Sequence, residues 1–281
     1  MAVLLGVLVA LSYGAGDFLG GLATRAQAVT TVVAASQASA LVLLVIGVPL
    51  RGSPLGWDDL GLGALAGGIG VVGILLLYQG LATGAMGVVA PVTAVGAAVV
   101  PLVVGLATGE RPAPLALLGA LVALAAVVLV ASGHEEAPDA PPRSNGRSPM
   151  LLAVGAGTAF GLVFVLLGAT DEASGFWPLL GGRIVSVTLV CLWLVRSRTP
   201  FVPRAGTRLV VVGAGLLDVT ANGLYLLAVR EGLLSVVAVL SSLYPAATVV
   251  LARVVLGERL RPAQLAGLGL GLAGVTLIAA A

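Results

Sequence analysis

The chain has 281 residues, 59% apolar and only 9% charged, with 40 glycines and a mean hydropathy of +1.15. Soluble domains carry roughly 25% charge and about 7% glycine, so a water-soluble globular fold is excluded and a polytopic membrane protein is what remains. All 14 basic residues are arginine, against 12 acids, for a net charge of +2. With no lysine there is no P-loop lysine and no expected ATP site, and with no arginine patch interleaved with aromatics no nucleic-acid partner is expected.

Each helical crossing needs about 20 apolar residues. Uninterrupted apolar stretches place ten spans near 2–22, 29–49, 60–82, 86–107, 114–132, 150–170, 176–196, 208–229, 233–256 and 262–281. The first lacks a basic segment before it and is too long for the apolar core of a signal peptide, so it is expected to be a retained helix. Between the fifth and sixth spans, residues 133–149 carry four prolines, charges of both signs and almost nothing apolar, and are predicted to be a flexible linker. Cys191, the only cysteine, and His134, the only histidine, leave no disulfide, zinc cluster or other metal site to expect, and no cofactor.

The linker at the midpoint prompts a search for a repeat. A shift of 147 or 148 residues sets Leu4, Leu5, Tyr13 and Gly14 on Leu151, Leu152, Phe160 and Gly161. It also sets Gly84 and Val88-Val89-Ala90 on Gly232 and Val236-Val237-Ala238, and Gly109-Glu110-Arg111 on Gly257-Glu258-Arg259. Residues 1–132 and 150–281 therefore read as two copies of a five-helix unit. An odd number of crossings makes the second copy enter the membrane from the opposite side, giving an inverted repeat suited to alternating access.

These features resemble the EamA branch of the drug/metabolite transporter superfamily: two five-helix copies, a Tyr-Gly or Phe-Gly step in each first helix, and Gly-Glu-Arg before each closing helix. Arg183 in the second helix of the second copy fits that pattern; the first copy has Gln37 there. The resemblance implies a permease in the plasma membrane and a central cavity lined mainly by the first, third, fourth, sixth, eighth and ninth helices.

Charge inside a span costs at least about 2.5–3.5 kcal/mol on insertion scales, so each case needs a reason. Asp218 lies mid-span with Asn222 and Tyr225 four and seven residues on, a polar stripe best explained by a wet cavity. Asp17 follows Tyr13 by one turn and is either a second cavity acid or a buried partner to an arginine. Arg183 either holds a substrate carboxylate or neutralises Asp17 or Asp218, the ion pair being favoured. Arg253 is close enough to a span end to snorkel. Pro91, Pro101 and Pro245 are expected to interrupt the fourth and ninth helices as kinks or gates, with Ser241, Tyr244 and Thr248 on one face beside the last. Gln79, Tyr78 and Gln37 add neutral polar groups in the first half. Trp57, Trp177 and Trp193 read as interfacial anchors. Glu110 and Glu258 read as ordinary acids at the starts of the helices that follow them.

The leading expectation is a non-enzymatic secondary transporter that moves a small metabolite such as an amino acid. Export is the direction that the resemblance implies, and Asp17 or Asp218 would carry a coupled proton. A multidrug or cation exporter of the same superfamily is the nearest alternative. From another class comes an intramembrane aspartyl protease built on Asp17, in Gly14-Ala15-Gly16-Asp17, and Asp218. A non-transporting scaffold predicts no polar central cavity. Two complete halves let a monomer suffice, with membrane lipid and substrate as partners. Positive-inside counting, nine arginines after odd-numbered spans against three after even-numbered ones, places both termini outside; the resemblance implies cytoplasmic termini.

Overall fold

In the computed structural model, which describes residues 1–81, 86–131, 148–257 and 259–281, most described residues of the predicted spans are helical. Eleven α-helices run α1 (Ala2–Thr24), α2 (Val29–Leu50), α3 (Trp57–Leu81), α4 (Met86–Ala107), α5 (Pro114–Ala131), α6 (Pro149–Gly168), α7 (Trp177–Ser197), α8 (Arg208–Glu231), α9 (Leu234–Ser241), α10 (Tyr244–Leu256) and α11 (Pro262–Ala279). Among the described residues, nine segments are long and apolar enough to cross a membrane, with Val92–Ala107 of α4 a shorter apolar stretch. Most of the predicted linker, together with His134 and Glu258, lies outside the described residues.

Local sequence explains the boundaries. Proline opens α6, α7, α10 and α11 at the first or second position, where its missing N–H is not needed. Gly257 closes α10 with φ +71°, a left-handed conformation that glycine adopts without steric penalty. The expected ninth span is two helices, α9 and α10, separated at Ser242 and Leu243 just before Tyr244-Pro245. In contrast, α4 is continuous through Pro91 and Pro101, so neither proline interrupts it as expected from sequence.

Helices pack across the two halves of the chain. α1 lies against α8, α9 and α10, and α6 lies against α3 and α4; α2 packs on α7 and α8, and α3 on α7. Each pairing has a counterpart with the halves exchanged. The same exchange holds at the level of single residues in the α5–α11 contact. A methyl group added to Gly119 would meet the carbonyl of Gly274 at 2.8 Å, and one added to Gly267 would meet that of Ala126 at 3.0 Å. Both partners move by the same shift that aligns the two halves of the sequence. With lipid as apolar as leucine, small residues that admit close backbone approach are what hold such helices together.

Candidate transport site

A cavity of about 310 Å³ lies among α1, α2, α3, α4, α6, α7, α8 and α10. Its walls differ chemically. Tyr13 and Asp17 of α1, Gln37 of α2, Arg183 and Ser186 of α7, Asp218 and Asn222 of α8 and Tyr244 of α10 supply its polar and charged lining, whereas Ile74 and Leu77 of α3 and Phe160, Val163 and Phe164 of α6 are apolar. A polar lining at this depth is what a non-transporting scaffold does not need.

Arg183 is the hub of the polar side. Its Nη2 donates to Asp218 Oδ2 at 2.6 Å, and its Nη1 donates to Gln37 Oε1. Ser186, one turn along α7, donates to the same Gln37 oxygen at 3.1 Å. Asn222 donates from Nδ2 to the backbone carbonyl of Asp218 at 2.7 Å, which fixes the α8 face that carries the acid. The Arg183 side chain is only 9% accessible and that of Asp218 is 40% accessible, so the guanidinium is enclosed while the carboxylate meets the cavity. Of the two roles open to Arg183 in the sequence, the structure shows the ion pair. α7 also enters the cavity wall itself, although the resemblance implied a marginal place for it.

Asp17 stands differently. It lines the cavity and is accessible within it, and among the described residues it has neither a hydrogen bond nor an ion pair. Tyr13, one turn before it, faces Tyr244 with ring centroids 6.4 Å apart and Phe164 at 6.3 Å. The glycines before Asp17 have a packing role. Gly14 lies where any side chain would strike Ala247 and the Tyr244 carbonyl, and Gly16 faces the α8 backbone beside Asp218. Thr248 Oγ1 donates to the Gly14 carbonyl at 3.1 Å. Gly-x-Gly-Asp is thus a helix contact here, and Asp218 is bonded to Arg183 rather than to Asp17, so the two acids do not form the hydrogen-bonded dyad that an aspartyl protease uses.

Several expected site residues lie elsewhere. Tyr225 is fully buried outside the cavity lining, stacked on Phe164 at 4.5 Å, with its hydroxyl donating to the Phe164 carbonyl at 3.0 Å. Gln79 is exposed near the end of α3 and does not line the cavity. Ser241 is buried and returns its hydroxyl to Val237 O, so of the three groups beside Pro245 only Tyr244 reaches the cavity. Pro101 is not among the lining residues, and the side chains of Pro91 and Tyr78 lie outside the described residues. Trp57 and Trp177 open α3 and α7, as expected of anchors near span ends. Glu110 does not serve the helix after it. Its carboxylate accepts the backbone N–H groups of Leu234 at 2.6 Å and Ser235 at 3.0 Å, capping α9 in the other half of the chain.

Tyr13 and Tyr244 were expected at the site and line it, but its phenylalanine and glycine components were not singled out from sequence as lining groups. Phe160 and Phe164 were legible only as apolar helix positions. Ser186, three residues after Arg183, carried the one available signal, since i and i+3 share a helical face.

The model of the EamA-like transporter family matches residues 147–280. By its second half, the chain is similar to the EamA-like transporter family. Members of that family are transporters of the drug/metabolite superfamily rather than enzymes, and the EamA-like chain is a multi-pass integral membrane protein. No curated protein matches it in sequence. One solved crystal structure superposes with a TM-score of 0.79 at 20% identity, covering 98% of this chain and 95% of that one; the likeness shows the fold over the whole length.

Proposed function

We propose that the EamA-like chain is a secondary-active transporter of the plasma membrane that moves a small amine-bearing metabolite, such as an amino acid, outward by alternating access. One observation carries the reading: Asp17 faces the cavity without a cationic partner among the described residues, while the neighbouring acid, Asp218, is paired with Arg183. An isolated carboxylate at this depth is costly unless a cation or a proton arrives to neutralise it. A substrate ammonium and a proton compete for the same oxygens, and mutually exclusive occupancy couples the outward movement of one to the inward movement of the other. The cavity volume suits a small ligand. Crosswise pairing of helices supports two five-span copies, 1–132 and 150–281 with the linker 133–149 between them, which provides two packings of similar energy, one open to each side.

The test is uptake into proteoliposomes under an imposed proton gradient, with a radiolabelled amino-acid and amine panel. Wild-type protein should accumulate at least one amine against its gradient, and Asp17→Asn should abolish accumulation while leaving the protein folded by size-exclusion and thermal melt. Undiminished gradient-driven accumulation in Asp17→Asn rejects this reading.

A further inference from the structure

A second cavity, of about 300 Å³, lies beside the first between α2, α3 and α7. Val33, Leu75, Leu189 and Trp193 are among its lining residues, and it is almost wholly apolar. Its partition from the transport cavity is thin, because Val71 and Ile74 line both spaces. The α3 segment between the two spaces has glycine at 67, 68 and 70, which leaves Val71 and Ile74 as the chief side chains of the partition. Leu189 and Trp193 are exposed at the outer rim of a protein that crosses the bilayer, so this chamber adjoins hydrocarbon.

The charge distribution of the first cavity gives the second a direction. Among the described lining residues, every charged group is on α1, α7 or α8, and the α3 residues are apolar or glycine. A ligand whose ammonium sits at Asp17 therefore turns its uncharged end toward Ile74 and Val71. We infer that the α2–α3–α7 chamber is a tail subsite, and that the substrate is an amphipathic amine whose apolar tail passes Val71 and Ile74 into it. The inference rests on the assignment of the ammonium to Asp17 and adds the class of molecule attached to that ammonium.

Gly68 provides the means of testing it. It lines the second chamber and not the first, and a methyl group added there meets only Val185, at 3.8 Å, an ordinary contact. Gly68→Leu thus fills the tail chamber and leaves the charged wall untouched. Binding of n-alkylamines of increasing length is measured by thermal stabilisation of the protein in lipid nanodiscs. Burial of each methylene is worth about 0.8 kcal/mol, close to a fourfold gain in affinity. In wild type the gain should continue through chain lengths that exceed the first cavity; in Gly68→Leu it should stop several methylenes earlier, with the affinity for short amines unchanged. In a second measurement Trp193 reports directly, in a Trp57→Phe/Trp177→Phe background. An amine brominated at its far end should quench its fluorescence saturably, and Asp17→Asn should reduce the quenching to the linear background of tails dissolved in lipid.

The same length dependence in wild type and Gly68→Leu, or non-saturable quenching equal in Asp17→Asn, overturns the tail subsite. It leaves the amine site standing if short amines still bind. If no amine of any length binds saturably, both the tail subsite and the assignment of Asp17 fail together.

Discussion

Arg183 of α7 donates a hydrogen bond to Gln37 of α2, the residue that stands in the corresponding helix of the first half of the chain. The same guanidinium pairs with Asp218, and removing either partner leaves the other uncompensated. Because Asp218 is 40% accessible, the coupling is well below that of a fully enclosed pair: about 1–2 kcal/mol, within the range for residues in one network. Arg183→Gln and Asp218→Asn should each lower the melting temperature in detergent, and the double variant should recover part of the loss. Gln37→Arg should destabilise more than either, since it brings a second guanidinium against the first. Additive losses in the double variant sink the pairing.

Glu110 holds the first two amide groups of α9, 124 residues away in the chain. The Ser235 hydroxyl beside them is buried and, among the described residues, has no hydrogen-bond partner. A cap of this kind at a helix N-terminus is worth about 1–2 kcal/mol. Glu110→Ala should lower stability by that amount and raise hydrogen exchange at Leu234 and Ser235, with Glu110→Gln intermediate. Unchanged exchange at those two amides would show the contact to be incidental.

Span positions were legible because lipid imposes length and apolarity on each crossing, and the predicted and observed helix limits agree within a few residues. The cost of intramembrane charge also singled out Asp17, Arg183 and Asp218, which the fold brings to one cavity. Depth was harder to read than face. Tyr225 shares the helical face of Asp218, yet seven residues amount to about 10.5 Å of rise, enough to carry it past the cavity to Phe164. Gln79 fails for the same reason, near the end of α3. Glu110 was assigned to the helix next to it because sequence proximity is silent about a partner in the other half. Pro91 and Pro101 promised breaks that α4 does not have, whereas the break near Pro245 is present.

Two adjacent glycines of α3 should behave oppositely. A methyl group on Gly67 would collide with the backbone of Gly182, where α3 meets α7, whereas one on Gly68 meets nothing closer than 3.8 Å. Backbone cannot move aside as a flexible side chain can, so Gly67→Ala should separate the helices and lower the melting temperature by several degrees, a penalty of about 1–3 kcal/mol for overpacking. Gly68→Ala should be neutral or slightly stabilising through helix propensity, worth up to about 1 kcal/mol. Equal melting temperatures for the two variants contradict the α3–α7 contact.

The break between α9 and α10 has a definite chemical origin and a testable consequence. In a continuous helix residue 245 would donate its N–H to the Ser241 carbonyl, and proline has none to donate; its ring also crowds that carbonyl. The chain instead turns at Ser242 and Leu243, with Leu243 N–H bonded to Leu240 O and Ala246 N–H to Leu243 O. Tyr244 follows the turn directly and lines the cavity, so the joint places a break in the helix beside the cavity. Pro245→Ala supplies the missing donor and favours one unbroken helix. Its melting temperature should equal or exceed that of wild type, while substrate turnover in proteoliposomes falls about tenfold, as a rise of about 1.4 kcal/mol in the switching barrier requires. If turnover and stability both match wild type, the joint is a packing detail and the movement of the transporter hinges elsewhere.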